Sequence, residues 1–285
     1  FLGGIFSMLT LGLAMAAVTL GAVFYIYGRD LPSIETLSQY TPPTISRVYS
    51  AEGRIVDEFA EERRLFTPAE DIPDLVKHAF IAAEDQNFYT HPGFDVRGMA
   101  AAAMEAVMSG GRDVRGASTI TQQVMKNFLL SADQTLERKV KELILAVRIE
   151  QAMDKEQILE LYLNEIFLGQ NSYGVTAAAL TYFNKPLTEL SPGEAAYLAA
   201  LAQRPGSLHP VRDRENAVAR RNYVLGRMAE DGYITQAEAE AEAAMPLRSV
   251  QSGDYPSFRS TVPPRDYFTD EIRRQLSQNF GEEEF

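Results

Sequence analysis

The longest stretch without any polar rhythm is Phe1 to Gly28, which carries no Asp, Glu, Lys or Arg. At about 1.5 Å per residue it exceeds the roughly 20 residues that a helix needs to cross a bilayer. The pattern predicts a single transmembrane anchor over residues 1–28. Phe24, Tyr25 and Tyr27, just ahead of Arg29 and Asp30, fit the aromatic belt of a bilayer interface. A cleaved signal peptide is the competing reading, but the run is long and no clear small-x-small cleavage site precedes the polar sequence.

Beyond Arg29 the periodicity changes several times. Leu31 to Tyr40 reads as a short juxtamembrane helix stopped by Pro42 and Pro43, because proline removes a donor and restricts its predecessor. Thr44 to Tyr49 and Arg54 to Phe59 alternate with a period of two and predict a small β-hairpin. From Asp71 the period becomes helical, with Ile72, Leu75, Val76, Ala79 and Phe80 on one side. Further helices are predicted over Val96–Met108, Ala117–Leu130 with Ser118 as N-cap, Gln134–Met153 and Lys155–Asn164. Another lies between Gly169 and Lys185, and two more span Arg212–Asp231 and Thr235–Ala244. Ser191, Pro192, Gly193 and Glu194 form a capping-box start to a helix ending near Arg204. In Gln134–Met153 the expected buried stripe is Leu136, Val140, Leu143, Ile144 and Val147. Ser109 to Gly116 is a glycine-rich interruption expected to be either a mobile loop or a lid. Its Arg112 and Arg115 fit either a substrate anion or a solvated surface. The fold class is mainly α.

The candidate chemistry begins at the end of one of these helices. Glu84 and Asp85 close the apolar run Ala79 to Ala83, and the chain then turns through His91, Pro92 and Gly93. A carboxylate next to apolar side chains is desolvated and suited to proton transfer near neutrality. The plainer use of such a pair is to bond its own turn. Farther on, Arg138 and Lys139 stand four and three residues before Glu142, close enough on a helix to pair with it.

Composition narrows the options. The net charge of -12 and pI near 4.8 argue against a nucleic-acid partner, whose phosphates are met by Lys and Arg. There is no cysteine, so disulfides, thiolate ligands and thiol nucleophiles are excluded. Within Arg112 to Lys155, however, eight cations face six anions. That local excess suits a small polyanionic head group. Sugar chemistry is the simplest assignment: one carboxylate can take a proton from an attacking hydroxyl while cations can stabilise a phosphate leaving group. Paired carboxylates serve glycosidases equally, so the pair does not separate transfer from hydrolysis.

Five ordered motifs then carry a resemblance: EDQNFYTHPG from Glu84, GASTITQQ from Gly116, RKVKE from Arg138, KEQILELYLN from Lys155, and PGEAAYLAALAQRP around Glu194. Over about Pro42 to Pro210 the chain resembles the lysozyme-like peptidoglycan glycosyltransferase domain of class A penicillin-binding proteins, shared with monofunctional murein polymerases. The resemblance implies Glu84 as the base that deprotonates the acceptor lipid II, and Glu142 as a second essential carboxylate near the donor diphosphate. It implies Ser118, Gln122, Gln123, Lys126, Arg138 and Lys139 along the donor and phosphate region. Asp85, Phe88, His91, Gly93, Thr119, Lys155, Asn164 and Glu194 would shape the site.

No organic cofactor is implied; a divalent cation, magnesium or manganese, is admitted near Glu142. The implied partners are lipid II, the growing lipid-linked glycan strand, the bilayer, and cell-wall synthesis or shape-determining membrane proteins. The implied location is the bacterial inner membrane, with residues 29–245 on its periplasmic or extracytoplasmic face. The segment Phe94 to Met108 resembles the family's membrane-dipping part; packing within the domain is the alternative use of the same residues. Residues 246–285, with Tyr255 to Leu276 foremost, resemble the start of a linker toward a transpeptidase domain. Ala117 departs from the Gly common in the second motif, and Arg204-Pro205-Gly206 from the usual turn after the fifth. A peptidoglycan hydrolase and a non-catalytic membrane scaffold are the alternatives.

Overall fold

A computed structural model describes residues 2–29, 31, 46–52, 55–59, 63–108, 118–129, 136–257 and 267–280. Eleven α-helices are described: α1 Leu2–Gly28, α2 Asp74–Glu84, α3 Val96–Met108, α4 Ile120–Leu129, α5 Leu136–Ala152, α6 Lys155–Glu165, α7 Val175–Phe183, α8 Pro192–Gln203, α9 Arg214–Glu230, α10 Gln236–Ala244 and α11 Tyr267–Phe280. Four short strands accompany them: β1 Ser46–Tyr49, β2 Ile55–Phe59, β3 Arg63–Arg64 and β4 Ser172–Tyr173. The mainly α class expected from periodicity is the class observed. The chain divides into two compact units, Phe1–Tyr40 with Thr90–Asp154, and Thr41–Tyr89 with Lys155–Phe285.

In the first unit α1 is one continuous helix of 27 residues with no ionisable acid or base of the Asp, Glu, Lys or Arg type. Among the described residues, which leave out several of its side chains, no helix is long and apolar enough to cross a membrane. Helix α5 packs on α4 and on α1, and the Arg148 guanidinium donates to the Gly28 carbonyl at 3.0 Å. The buried residues of α5 are Glu142, Ile144, Leu145, Ala146 and Ile149. Of the expected stripe, Val140, Leu143 and Val147 are only half-buried. The buried face is set by the elements that pack on this helix, a rotation that periodicity alone cannot choose.

In the second unit α8 is the central element, buried without interruption from Gly193 to Leu201. A helix apolar all round belongs inside, and its alanines let α2 and α9 pack against it. The capping box is formed: Ser191 Oγ accepts from the Glu194 amide at 3.3 Å, and Glu194 Oε2 accepts from the Ser191 amide at 2.9 Å. Tyr182, Phe183 and Tyr197 stack edge-on around this helix, with centroids 5.6 and 6.1 Å from Tyr197. Buried Arg221 of α9 donates to the carbonyls of Ala243 and Met245 at 2.9 Å each, closing the end of α10.

Strand β1 pairs antiparallel with β2, Ser46 opposite Phe59, with an irregularity between Val48 and Tyr49. Strands β3 and β4 pair in parallel, and two residues are too few to show any period in sequence. The expected Leu31–Tyr40 helix, apart from Leu31, and the Ser109–Gly116 lid with Arg112 and Arg115 lie outside the described residues.

Candidate active site

Each unit carries one part of the predicted site. In the second unit Glu84 is the last residue of α2, which stops because Asp85 leaves helical geometry at φ -156, ψ 73 while its amide still donates to Ile81. The Phe88 amide donates back to the Asp85 carbonyl at 2.9 Å, so the chain turns at once. Burial falls on Asp85, with Glu84 half-buried. Phe88 is buried, and the Lys155 ammonium stands 4.6 Å from its ring centroid. The buried Tyr162 hydroxyl has no hydrogen-bond partner among the described residues. Burial first, then the charges of Glu84 and Asp85, pushes its phenol well above the ordinary range. This buried hydroxyl, within electrostatic reach of both carboxylates, was not singled out in the sequence, where Tyr162 reads as one more apolar-face residue.

Asn164 lies away from that turn. Its Oδ1 accepts from the Thr67 amide at 2.8 Å, and its Nδ2 donates to the carbonyls of Thr67 and Glu160 at 2.9 Å each. Glu194 is buried at the start of α8, where it accepts from Lys185 Nζ at 2.7 and 2.8 Å and from Tyr255 OH at 3.0 Å. Both bridge distant segments.

The first unit holds the cationic part. His91 is buried, and its Nδ1 accepts from the Gly93 amide at 3.1 Å. Gly93 has φ +96, and a Cβ there would stand 2.6 Å from the Ala146 carbonyl oxygen, so the tight turn needs glycine on two counts. The Gly93 carbonyl accepts from Thr119 Oγ1 at 2.7 Å.

Thr119, and not Ser118, caps α4. Its Oγ1 accepts from the Gln122 amide at 3.2 Å, and Gln122 Oε1 accepts from the Thr119 amide at 3.0 Å, a reciprocal capping box. Ser118 Oγ accepts instead from Lys139 Nζ at 2.8 Å, a tertiary partner invisible to local reasoning. Gln122 is buried, and its Nε2 has no partner among the described residues. Gln123 is half-buried, and Lys126 is exposed in the last turn of α4.

The expected spacing on α5 is realised. Lys139 Nζ lies 2.9 Å from Glu142 Oε2, and Arg138 Nε lies 3.1 Å from Glu142 Oε1 as an ion contact without hydrogen-bond alignment. Glu142 is only 2% exposed, so these are not the weak surface bridges that helical spacing alone suggests. Lys139 has three donors; among the described residues two of them go to Ser118 and Glu142, and its side chain is 44% exposed. Two cations flank one buried carboxylate here, with Ser118 on one of them, an arrangement chemically able to meet an anion.

A metal fits less well. No group of three or more His, Cys, Asp or Glu that could hold an ion occurs among the described residues, and the two oxygens of Glu142 already face cations that repel one.

Residues 52–229 match the family described as Transglycosylase. The match runs past Pro210 and takes in nearly all of α9. Over 264 residues the chain is 44% identical to penicillin-binding protein 1A of Rickettsia felis, covering 92% of this chain and 33% of that protein. Over 254 residues it is 43% identical to penicillin-binding protein 1A of Aquifex aeolicus, covering 89% of this chain and 34% of that protein. A crystal structure of penicillin-binding protein 1A from Haemophilus influenzae is 27% identical, with TM-score 0.49, over 86% of this chain and 26% of that one. The chain spans about a third of the length of the curated relatives it matches.

Proposed function

The chain belongs to the transglycosylase family, and from that premise we propose that it polymerises lipid II into β-1,4-linked glycan strands with release of undecaprenyl diphosphate. The observation that carries the reading is the buried Glu142 carboxylate flanked by Arg138 and Lys139, a setting built to receive a phosphate group. In this reading Glu84, at the open end of α2, removes the proton from the acceptor 4-hydroxyl. The oxygen attacks the anomeric carbon of the donor strand, the bond to the diphosphate breaks with its electron pair, and the α-link is replaced by a β-link. Arg138, Lys139 and Lys126 stabilise the charge that builds on the leaving diphosphate. Ser118, through Lys139, and Thr119, through Gln122, hold that apparatus in place. No step runs through a metal.

The uncharged helix α1, about 40 Å long at 1.5 Å per residue, supports a membrane anchor that would keep the domain at the extracytoplasmic face beside its lipid substrate. Residues 246–285 would then lead toward a further domain.

The test is polymerisation of labelled lipid II in detergent by this chain and by Glu84→Gln. A ladder of lysozyme-sensitive strands that vanishes in the variant is expected. Cleavage of preformed strands without any ladder would assign a hydrolase instead.

A further inference from the structure

Glu84 leaves α2 into a turn whose anchors lie outside the carboxylate and cation clusters already described. Gln86 Nε2 donates to Asp231 Oδ1 beyond the end of α9, and Phe88 is sunk into the interior. The third anchor is Glu156, in the first turn of α6. Its Oε1 accepts from Tyr89 OH at 2.8 Å, and its Oε2 accepts from Lys77 Nζ at 3.0 Å. Lys77 stands two helical turns before Glu84, and Tyr89 stands five residues after it. One carboxylate therefore ties together the chain on both sides of Glu84.

We infer that Glu156 is a positioning residue for Glu84: by holding Lys77 and Tyr89 it fixes the helix-to-turn geometry from which the Glu84 carboxylate meets the acceptor hydroxyl. The inference rests on the reading of Glu84 as the base.

A stabilising surface ion pair is the plainer use of these groups, and the magnitudes speak against it as the whole account. The Glu156 side chain is 48% exposed and that of Lys77 12%, and Tyr89 is 47% exposed. A pair with its carboxylate half in water is screened and stabilises the fold little, whereas misplacing a reacting group by about 1 Å costs up to about 100-fold in rate. Burial pushes the Glu156 carboxyl upward, but the hydrogen bonds from Lys77 and Tyr89 and the charges of Lys77 and His78 outweigh it and hold the group below its ordinary value. It thus stays ionised and accepts both bonds throughout the neutral range.

The experiment measures kcat and KM for lipid II polymerisation, with unfolding midpoints, for the full chain and for Glu84→Gln, Tyr89→Phe, Glu156→Ala and Glu156→Gln. Glu84→Gln should abolish turnover. Tyr89→Phe and Glu156→Ala should each lower kcat about tenfold with little change in KM or midpoint. Their double variant should be no worse than either alone, and Glu156→Gln, whose single amide oxygen accepts from Tyr89 or Lys77 but not both, should recover part of the rate. Wild-type kcat in Tyr89→Phe and Glu156→Ala beside a dead Glu84→Gln would overturn the inference and leave the base intact. Losses that follow the midpoints would reduce Glu156 to a structural role and overturn it as well. An active Glu84→Gln would overturn both.

Discussion

Replacing Arg138 by alanine tests whether burial, and not distance, sets the strength of the ion pairs on α5. Two of the ion pairs on that helix stand at i,i+4. Arg138 Nε stands 3.1 Å from Glu142 Oε1, with side chains 16% and 3% exposed. Lys141 Nζ stands 2.6 Å from Glu137 Oε1, with side chains 26% and 54% exposed. By distance the second pair is the stronger; burial reverses the order. Two unit charges 4 Å apart attract by about 1 kcal/mol in water and about 4 kcal/mol at the effective dielectric of a protein site. Removing one partner of a buried pair costs about 3–5 kcal/mol, because the remaining charge stays desolvated. Lys139 still meets Glu142 Oε2 at 2.9 Å but is itself 44% exposed, so its help is screened.

Arg138→Ala should therefore destabilise by about 3 kcal/mol, the lower end of that range. Lys141→Ala should cost less than about 0.5 kcal/mol. Alanine enters the same helix in both cases, so differences in propensity largely cancel. Urea unfolding in detergent, followed by circular dichroism, measures both changes. Adding Glu142→Gln closes a cycle with Arg138→Ala, in which a coupling of about 1–3 kcal/mol is expected. Equal losses in Arg138→Ala and Lys141→Ala, or a cycle without coupling, would refute the reasoning.

Thr119→Ala removes the cap of α4 and the bond to the Gly93 carbonyl, and should cost at least about 1 kcal/mol; Thr119→Ser should restore most of it, and failure of serine to do so in thermal melts would count against the hydroxyl. Gly93→Ala sets a Cβ 2.6 Å from the Ala146 carbonyl oxygen at φ +96, and should destabilise by about 2 kcal/mol or more, a claim that wild-type urea stability would sink. Burial, opposed by Asp74 and Glu156 and reinforced by Lys77, lowers the His78 imidazole below its ordinary 6.5. The folded chain then holds that proton less tightly than the unfolded chain, so the contribution is complete above pH 6.5 and is lost as pH falls through the lower folded value. His78→Phe keeps a ring stacked on Tyr233 and should flatten stability against pH below 6.5; an unchanged slope would remove His78 as the cause.

What the sequence determined by itself was local. The helices over α2, α6, α8 and α9, the Ser191–Glu194 capping box, and the reach of Arg138 and Lys139 to Glu142 all follow from spacing, because a helix turns a fixed angle per residue. Motif order was legible for the same reason, since it is written along the chain. Tertiary structure decided whatever depends on a partner far away in sequence. Ser118 lost the cap to Thr119 because Lys139 claims its hydroxyl and the Gly93 carbonyl claims Thr119. The buried face of α5 was set by what packs on it, and the β3–β4 pair was too short to announce itself. Asn164 reaches Thr67 across 97 positions, and Glu156 reaches Tyr89 across 67. In sequence Glu142 and Glu156 are alike, each a glutamate on an amphipathic helix with a lysine nearby. Only the fold buries the first at 2% exposure and leaves the second half in water, and desolvation is what separates a charge that must be paired from one that need only hold a turn.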